Sequence, residues 1–113
     1  MLDFEIRPWG KWEEYLNEVG YRVKRIIVNP GRRISLQKHE KRCEHWVIVA
    51  GTGLLNLQDK EFMIQAGEAF SIAIGEIHRV TNNGNIPLII IETQIGDCRE
   101  NDIIRLQDDW NRV

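Results

Sequence analysis

The stretch GRRISLQKHEKRCEHWVIVAG, Gly31 to Gly51, decides the fold. On a strand, side chains two residues apart point to the same face, so Gln37 and His39 share one surface. Glu44 opens the apolar run His45 to Val49, and a hairpin through Glu40 to Cys43 brings it opposite the Gln37–His39 pair. His45 alternates to the other face and is the weaker candidate for any role shared with Glu44. Trp46 returns to the Glu44 face and is expected to pack inside.

Turn signals recur every several residues on both sides of this stretch. They fall at Val19-Gly20, Asn29-Pro30-Gly31, Gly51-Thr52-Gly53, Asp59-Lys60, Ala66-Gly67, Gly75, Asn83-Gly84 and Gly96. Between them lie short segments rich in β-branched and aromatic residues: Tyr21 to Val28, Gly53 to Leu57, Phe62 to Gln65 and Leu88 to Thr93. That is the pattern of an all-β sandwich or barrel. Trp12, Tyr15, Leu16 and Val19 recur at helical spacing, but an N-terminal strand is expected there. With 113 residues and no linker or repeat, one domain is expected over 1–113, with a barrel core over about 21–95.

Composition narrows the function classes. At 42% hydrophobic and 28% charged residues the chain is globular, not disordered. The longest apolar stretch, Pro87 to Ile91, is too short to cross a membrane, and Met1 to Glu5 does not read as a secretory signal, so the cytoplasm is expected. Cys43 and Cys98 form no CxxC pair and are read as free thiols. The net charge of −2 gives no field for nucleic acid. Eight of the 15 basic residues nevertheless crowd between Arg22 and Arg42, with Glu40 the only acid there, which suggests a positive patch for a small anion. Aromatic residues do not alternate with these cations, so a nucleic-acid partner is not expected.

His78 opens a later strand just after Gly75. In a closed barrel it can meet Gln37, His39 and Glu44 at one point. One amide oxygen, two imidazoles and a carboxylate form a mixed N/O set that suits one divalent transition metal. The donor set does not itself choose among zinc, manganese, iron, nickel and cobalt, of which zinc is the first expectation. Glu92 interrupts the apolar strand Leu88 to Thr93, and Gln94 lies two residues on, so both are expected to face the cavity. A carboxylate inside a barrel has its pKa raised, which fits Glu92 for general base work; the alternative is an ordinary pairing with Lys24 or Arg25.

The intervals resemble the two motifs of the cupin family. Gly31, Gln37, His39, Glu44 and Gly51 fit the first, with Gln37 in place of a His. Gly67, Ala73, Gly75, His78 and Asn82 fit the second, with Ala73 in place of a Pro. The expected fold is therefore a single-domain cupin, a double-stranded β-helix or jelly-roll barrel.

The chain is also similar, from about Glu5 to Arg112, to the C-terminal domain of the type II mannose-6-phosphate isomerases, which follows a mannose-1-phosphate guanylyltransferase domain. The segments Arg7-Pro8-Trp9-Gly10, Ser35-Leu36-Gln37-x-His39, Arg42-x-Glu44-His45-Trp46, Gly75-x-x-His78-Arg79 and Asp102-Ile103-x-Arg105 carry that likeness. In this branch Gln37 is ordinary.

The resemblance implies a metal-dependent interconversion of mannose 6-phosphate and fructose 6-phosphate. In it Glu92 and Arg79 would be catalytic, and Arg7, Arg42 and Arg105 would bind the substrate. It also implies a homodimer joined through outer strands. Trp110-Asn111, Ala73 and Cys43 depart from the family's usual residues, and no nucleotidyltransferase segment is present. A non-catalytic cupin that binds a sugar or sugar phosphate, or another metal-dependent cupin enzyme, is the alternative.

Overall fold

Glycines break the chain where it must reverse. Gly20, Gly31, Gly51, Gly67, Gly75 and Gly96 all have positive φ, a conformation that costs other residues far more. Gly51 is tightly constrained. Its φ is +85°, and a Cβ there would lie 2.7 Å from the Pro87 carbonyl oxygen, so the end of the first motif admits no side chain.

The computed structural model describes residues 1–99 and 101–109. The strands are β1 (Asp3–Arg7), β2 (Gly10–Glu18), β3 (Tyr21–Val28), β4 (Leu36–Lys38), β5 (Arg42–Ala50) and β6 (Thr52–Leu57). They continue with β7 (Lys60–Gln65), β8 (Ala69–Ile72), β9 (His78–Thr81), β10 (Leu88–Gly96) and β11 (Ile104–Gln107). Every described element is a strand, including the Trp12 region with its helical spacing. Of the residues at that spacing only Trp12 is buried, whereas Tyr15, Leu16 and Val19 are exposed, so the helical spacing marks no buried face; a bulge lies between Glu14 and Leu16. Trp110 lies outside the described residues.

The strands form two antiparallel sheets, one ordered β1-β2-β3-β10-β5-β8 and the other β11-β4-β9-β6-β7. This is the expected all-β jelly roll. The two inner faces share one core of Val28, Ile48, Leu55, Ile64, Val80, Leu88 and Ile90, with Trp9, Trp12 and Trp46 around it. Asn82, the last residue of the second motif, is a fastener. Its side-chain amide donates to the Val28 and Ile86 carbonyls at 2.8 Å each and so ties the end of β3 to the loop before β10.

Alternation divides the crowded cations. Arg22, Lys24 and Arg42 point inward and are buried, whereas Arg25 turns outward to Glu13, Lys38 pairs with Glu40, and Arg33 reaches Asp109. The single positive patch expected between Arg22 and Arg42 is therefore split between the interior and the surface. Among the described residues no helix is long and apolar enough to cross a membrane. Both cysteines are free thiols.

Candidate metal centre

The four expected ligands come from three strands and one loop. Gln37 sits in β4 directly opposite His78 of β9, and His39 follows β4 on the same side as Gln37. Glu44 comes from the other sheet, on β5. All four are buried and line one cavity. One ligand atom each from His39, Glu44 and His78 lies within 4.8 Å of the others.

The hydrogen bonds around the cluster set its chemistry. His39 Nδ1 lies 2.6 Å from the Asp102 carbonyl oxygen, and His78 Nδ1 lies 2.9 Å from that of Glu76. A carbonyl can only accept, so each ring carries its proton on Nδ1 and turns an Nε2 lone pair inward. The inward nitrogens lie 3.3 Å and 3.7 Å from the two oxygens of Glu44. Trp46 donates to Glu44 Oε1 at 3.2 Å, and Arg42 donates to Oε2 at 3.0 Å, which fixes the carboxylate plane.

Burial and the nearby Arg42 cation lower the His39 pKa to about 4, so the ring stays neutral and able to ligate across the neutral range. His78 Nε2 is fully buried with no hydrogen-bond partner. An orphaned imidazole lone pair beside a carboxylate and a second imidazole is the donor set a divalent metal satisfies.

His45 stands apart, as its outward direction requires. It is exposed and lies 3.0 Å from the Ser71 hydroxyl. Arg79 is a correction. It follows inward-facing His78 and so turns the other way, donating to the Ile34 carbonyl at 2.9 Å and the Gln107 carbonyl at 3.2 Å. It does not line the cavity, and what it does is pin the approach to β4 and the strand β11 onto β9.

Arg7, Arg42 and Arg105 do line the cavity. Arg7 holds Glu5 at 2.8 Å near the mouth, and Arg105 lies opposite Gln37 on β11. Lys24 is a cavity cation not expected from the sequence. Its ammonium sits 3.9 Å from the Trp12 ring centroid. Arg22 and Lys24 share the face of Ile26 and Val28, which the closure of the barrel buries.

Glu92 is buried on β10 opposite Lys24 and Trp46, and Gln94 lies opposite Arg22 and Glu44. Burial, then the Glu44 charge, raises the pKa of Glu92. The Gln94 amide donates to Glu92 Oε1. At neutral pH such a carboxyl holds its proton more strongly than a solvated one, so it is fitted to donate as well as to accept.

Comparisons with known proteins match this geometry to a family. The profile described as "Mannose-6-phosphate isomerase C-terminal" matches residues 3–108. The alginate biosynthesis protein AlgA of Pseudomonas aeruginosa is 43% identical over 95% of this chain and 22% of its own length. A mannose-1-phosphate guanylyltransferase of Klebsiella pneumoniae is 41% identical over 94% of this chain and 23% of its own. The chain thus spans about a fifth of the length of these curated relatives, which are named as biosynthetic proteins and enzymes. The cupin domain of Schizosaccharomyces pombe Cnp3 matches with a TM-score of 0.74 at 15% identity, over 80% of this chain and 67% of that one, which shows the cupin fold.

These names overturn one expectation. The matching curated proteins are named for guanylyl transfer and alginate biosynthesis, not for interconverting mannose 6-phosphate and fructose 6-phosphate, so that reaction is not assigned to this chain.

Proposed function

The chain belongs to the mannose-6-phosphate isomerase C-terminal family, and from that premise we propose that it is a metal-dependent binding site for a phosphorylated sugar. One divalent transition metal, zinc foremost, would be held by Gln37, His39, Glu44 and His78. A bound metal supplies Lewis acidity at a ligand oxygen. The observation that carries the reading is the orphaned Nε2 of buried His78, facing Glu44 in a cavity that Arg7, Lys24, Arg42 and Arg105 also line.

The chain's own groups supply the rest. Arg7 and Arg105 stand where a dianionic phosphate can be gripped by paired N–H donors, with Arg42 and Lys24 deeper in the cavity. Trp12 and Trp46 give flat apolar walls, which suit the C–H faces of a sugar ring. Glu92 would hydrogen-bond a ligand hydroxyl from the same wall.

The test joins metal content to ligand affinity. The purified chain should carry about one transition metal, and His78→Ala should lose it while His45→Ala keeps it. Mannose 6-phosphate should bind the metal-loaded chain at least tenfold more tightly than the stripped one, and Arg105→Ala should weaken it by about tenfold or more. A chain that takes up no metal, or binds the sugar phosphate equally with and without it, would sink the proposal.

A further inference from the structure

The wall of β10 beside the metal cluster carries two buried polar side chains, and only one of them is satisfied. The Gln94 amide nitrogen donates to Glu92, but the Gln94 carbonyl oxygen has no hydrogen-bond partner. Gln94 is 1% exposed and lines the metal cavity. A buried acceptor without a donor costs on the order of 1–3 kcal/mol, so a side chain held this way points to a donor that arrives with a ligand.

Its place limits what that donor is. Gln94 lies directly opposite Glu44 across β10 and β5, and opposite residues in such a pair have Cβ atoms about 5 Å apart. The acceptor therefore stands one side chain away from the candidate metal ligands. Arg22, directly opposite Gln94, and Lys24, opposite Glu92, are cations that can only donate, and the Arg22 guanidinium is turned to Glu14 and the Cys98 carbonyl. Glu92 Oε1 is already engaged by Gln94.

We infer that Gln94 is a specificity-determining residue whose side-chain oxygen accepts a hydrogen bond from a ligand hydroxyl next to the oxygen held at the metal. The ligand class this selects is a polyol with adjacent oxygens, so a deoxy or anhydro analogue is rejected. The inference rests on the metal-and-sugar-phosphate reading above, and it adds which hydroxyl-bearing ligands the site admits. A site built to receive a hydroxyl discriminates strongly against an analogue lacking it, because the buried acceptor is then stranded.

The experiment compares two proteins, each metal-loaded, with three ligands. Mannose 6-phosphate is titrated beside 2-deoxyglucose 6-phosphate and 1,5-anhydromannitol 6-phosphate, which lack the C2 and the anomeric hydroxyl. Wild type should favour mannose 6-phosphate over at least one analogue by about tenfold or more. In Gln94→Leu, with metal content unchanged, that preference should collapse to within about twofold, since the variant has no acceptor to strand. A general loosening of the fold would weaken all three ligands together and leave their ratios intact. If Gln94→Leu does not fold, Gln94→Met serves the same purpose with an unbranched side chain. Preserved discrimination in the variant, or none in wild type, overturns the inference while the sugar-phosphate reading stands. A metal-loaded wild type that binds none of the three ligands overturns that reading and this inference with it.

Discussion

The two ends of β3, β5 and β10 face the same interior and are built on opposite principles. At one end the inward positions are Ile26, Val28, Ile48, Leu88 and Ile90. At the other they are Arg22, Lys24, Arg42, Glu44, Glu92 and Gln94, equally buried. The switch comes halfway along each strand, beside Trp46. Burial of apolar side chains contributes about 25 cal/mol for each Å² removed from water, so the first end stabilises the barrel. Buried charge costs free energy unless it is paired, so the second end is tolerated only through its partners. Glu14 meets Arg22, Arg42 meets Glu44, and Gln94 meets Glu92. The comparison teaches that the site is a polar cap on a stabilising core, and the two can be attacked separately.

The largest effect should come from the apolar end. Ile90→Ala removes a fully buried side chain from the meeting point of β3, β10 and β5. It should cost about 2–5 kcal/mol of unfolding free energy, read by urea denaturation. Metal affinity of the folded protein should be unchanged within about twofold, because Ile90 touches the core and not the ligands. A large loss of metal affinity in folded Ile90→Ala would show that the two ends are one cooperative unit.

A smaller effect should come from the edge of the polar end. The Asp102 carboxylate accepts from the backbone N–H groups of Glu40 and Lys41, at 3.0 Å and 2.9 Å, while its carbonyl holds His39 Nδ1. Asp102 thus fastens the turn between two candidate ligands. Asp102→Ala should weaken metal binding by about tenfold, measured by competition with a chelator, with little loss of stability in the stripped protein. Asp102→Asn keeps one acceptor and should recover part of it. Equal loss of stability and metal affinity in Asp102→Ala would assign it a merely structural role.

The sequence exposed these two ends unequally. The apolar half was legible from alternation alone, and strands at Tyr21 to Val28 and Leu88 to Thr93 follow from it. The convergence of His39, Glu44 and His78, with Gln37 opposite His78, was legible because two motifs placed these residues at fixed intervals. Lys24 and Arg22 were harder, since charged residues on a strand are ordinarily solvated, and only the barrel's closure makes their face interior. Asp102 was named only within a matching segment and not as a support for His39, because that contact joins residues 63 positions apart. Arg79 was misplaced by family likeness, although the period of two already turned it away from His78.

The smallest effect concerns Glu92 and runs against the usual direction of a site mutation. Burial and the Glu44 carboxylate raise its pKa in the folded protein above the ordinary value of 4.5. Above that pH the unfolded chain loses the proton freely while the folded chain retains it. The folded state then binds more protons, so this group's contribution to stability falls as pH rises, until the folded pKa is passed. Glu92→Gln keeps the shape and cannot ionise, so it escapes that fall. In metal-stripped protein the melting temperature of Glu92→Gln should match wild type most closely at and below about pH 4.5. It should then exceed wild type by a margin that grows with pH until the folded pKa is passed. Replacing Glu44 by Gln removes the second cause of the shift and should narrow that margin. A margin that stays constant with pH would mean that Glu92 ionises as a solvated carboxylate does. It would then belong with the satisfied ion pairs of the polar end, not with the groups held ready for a ligand.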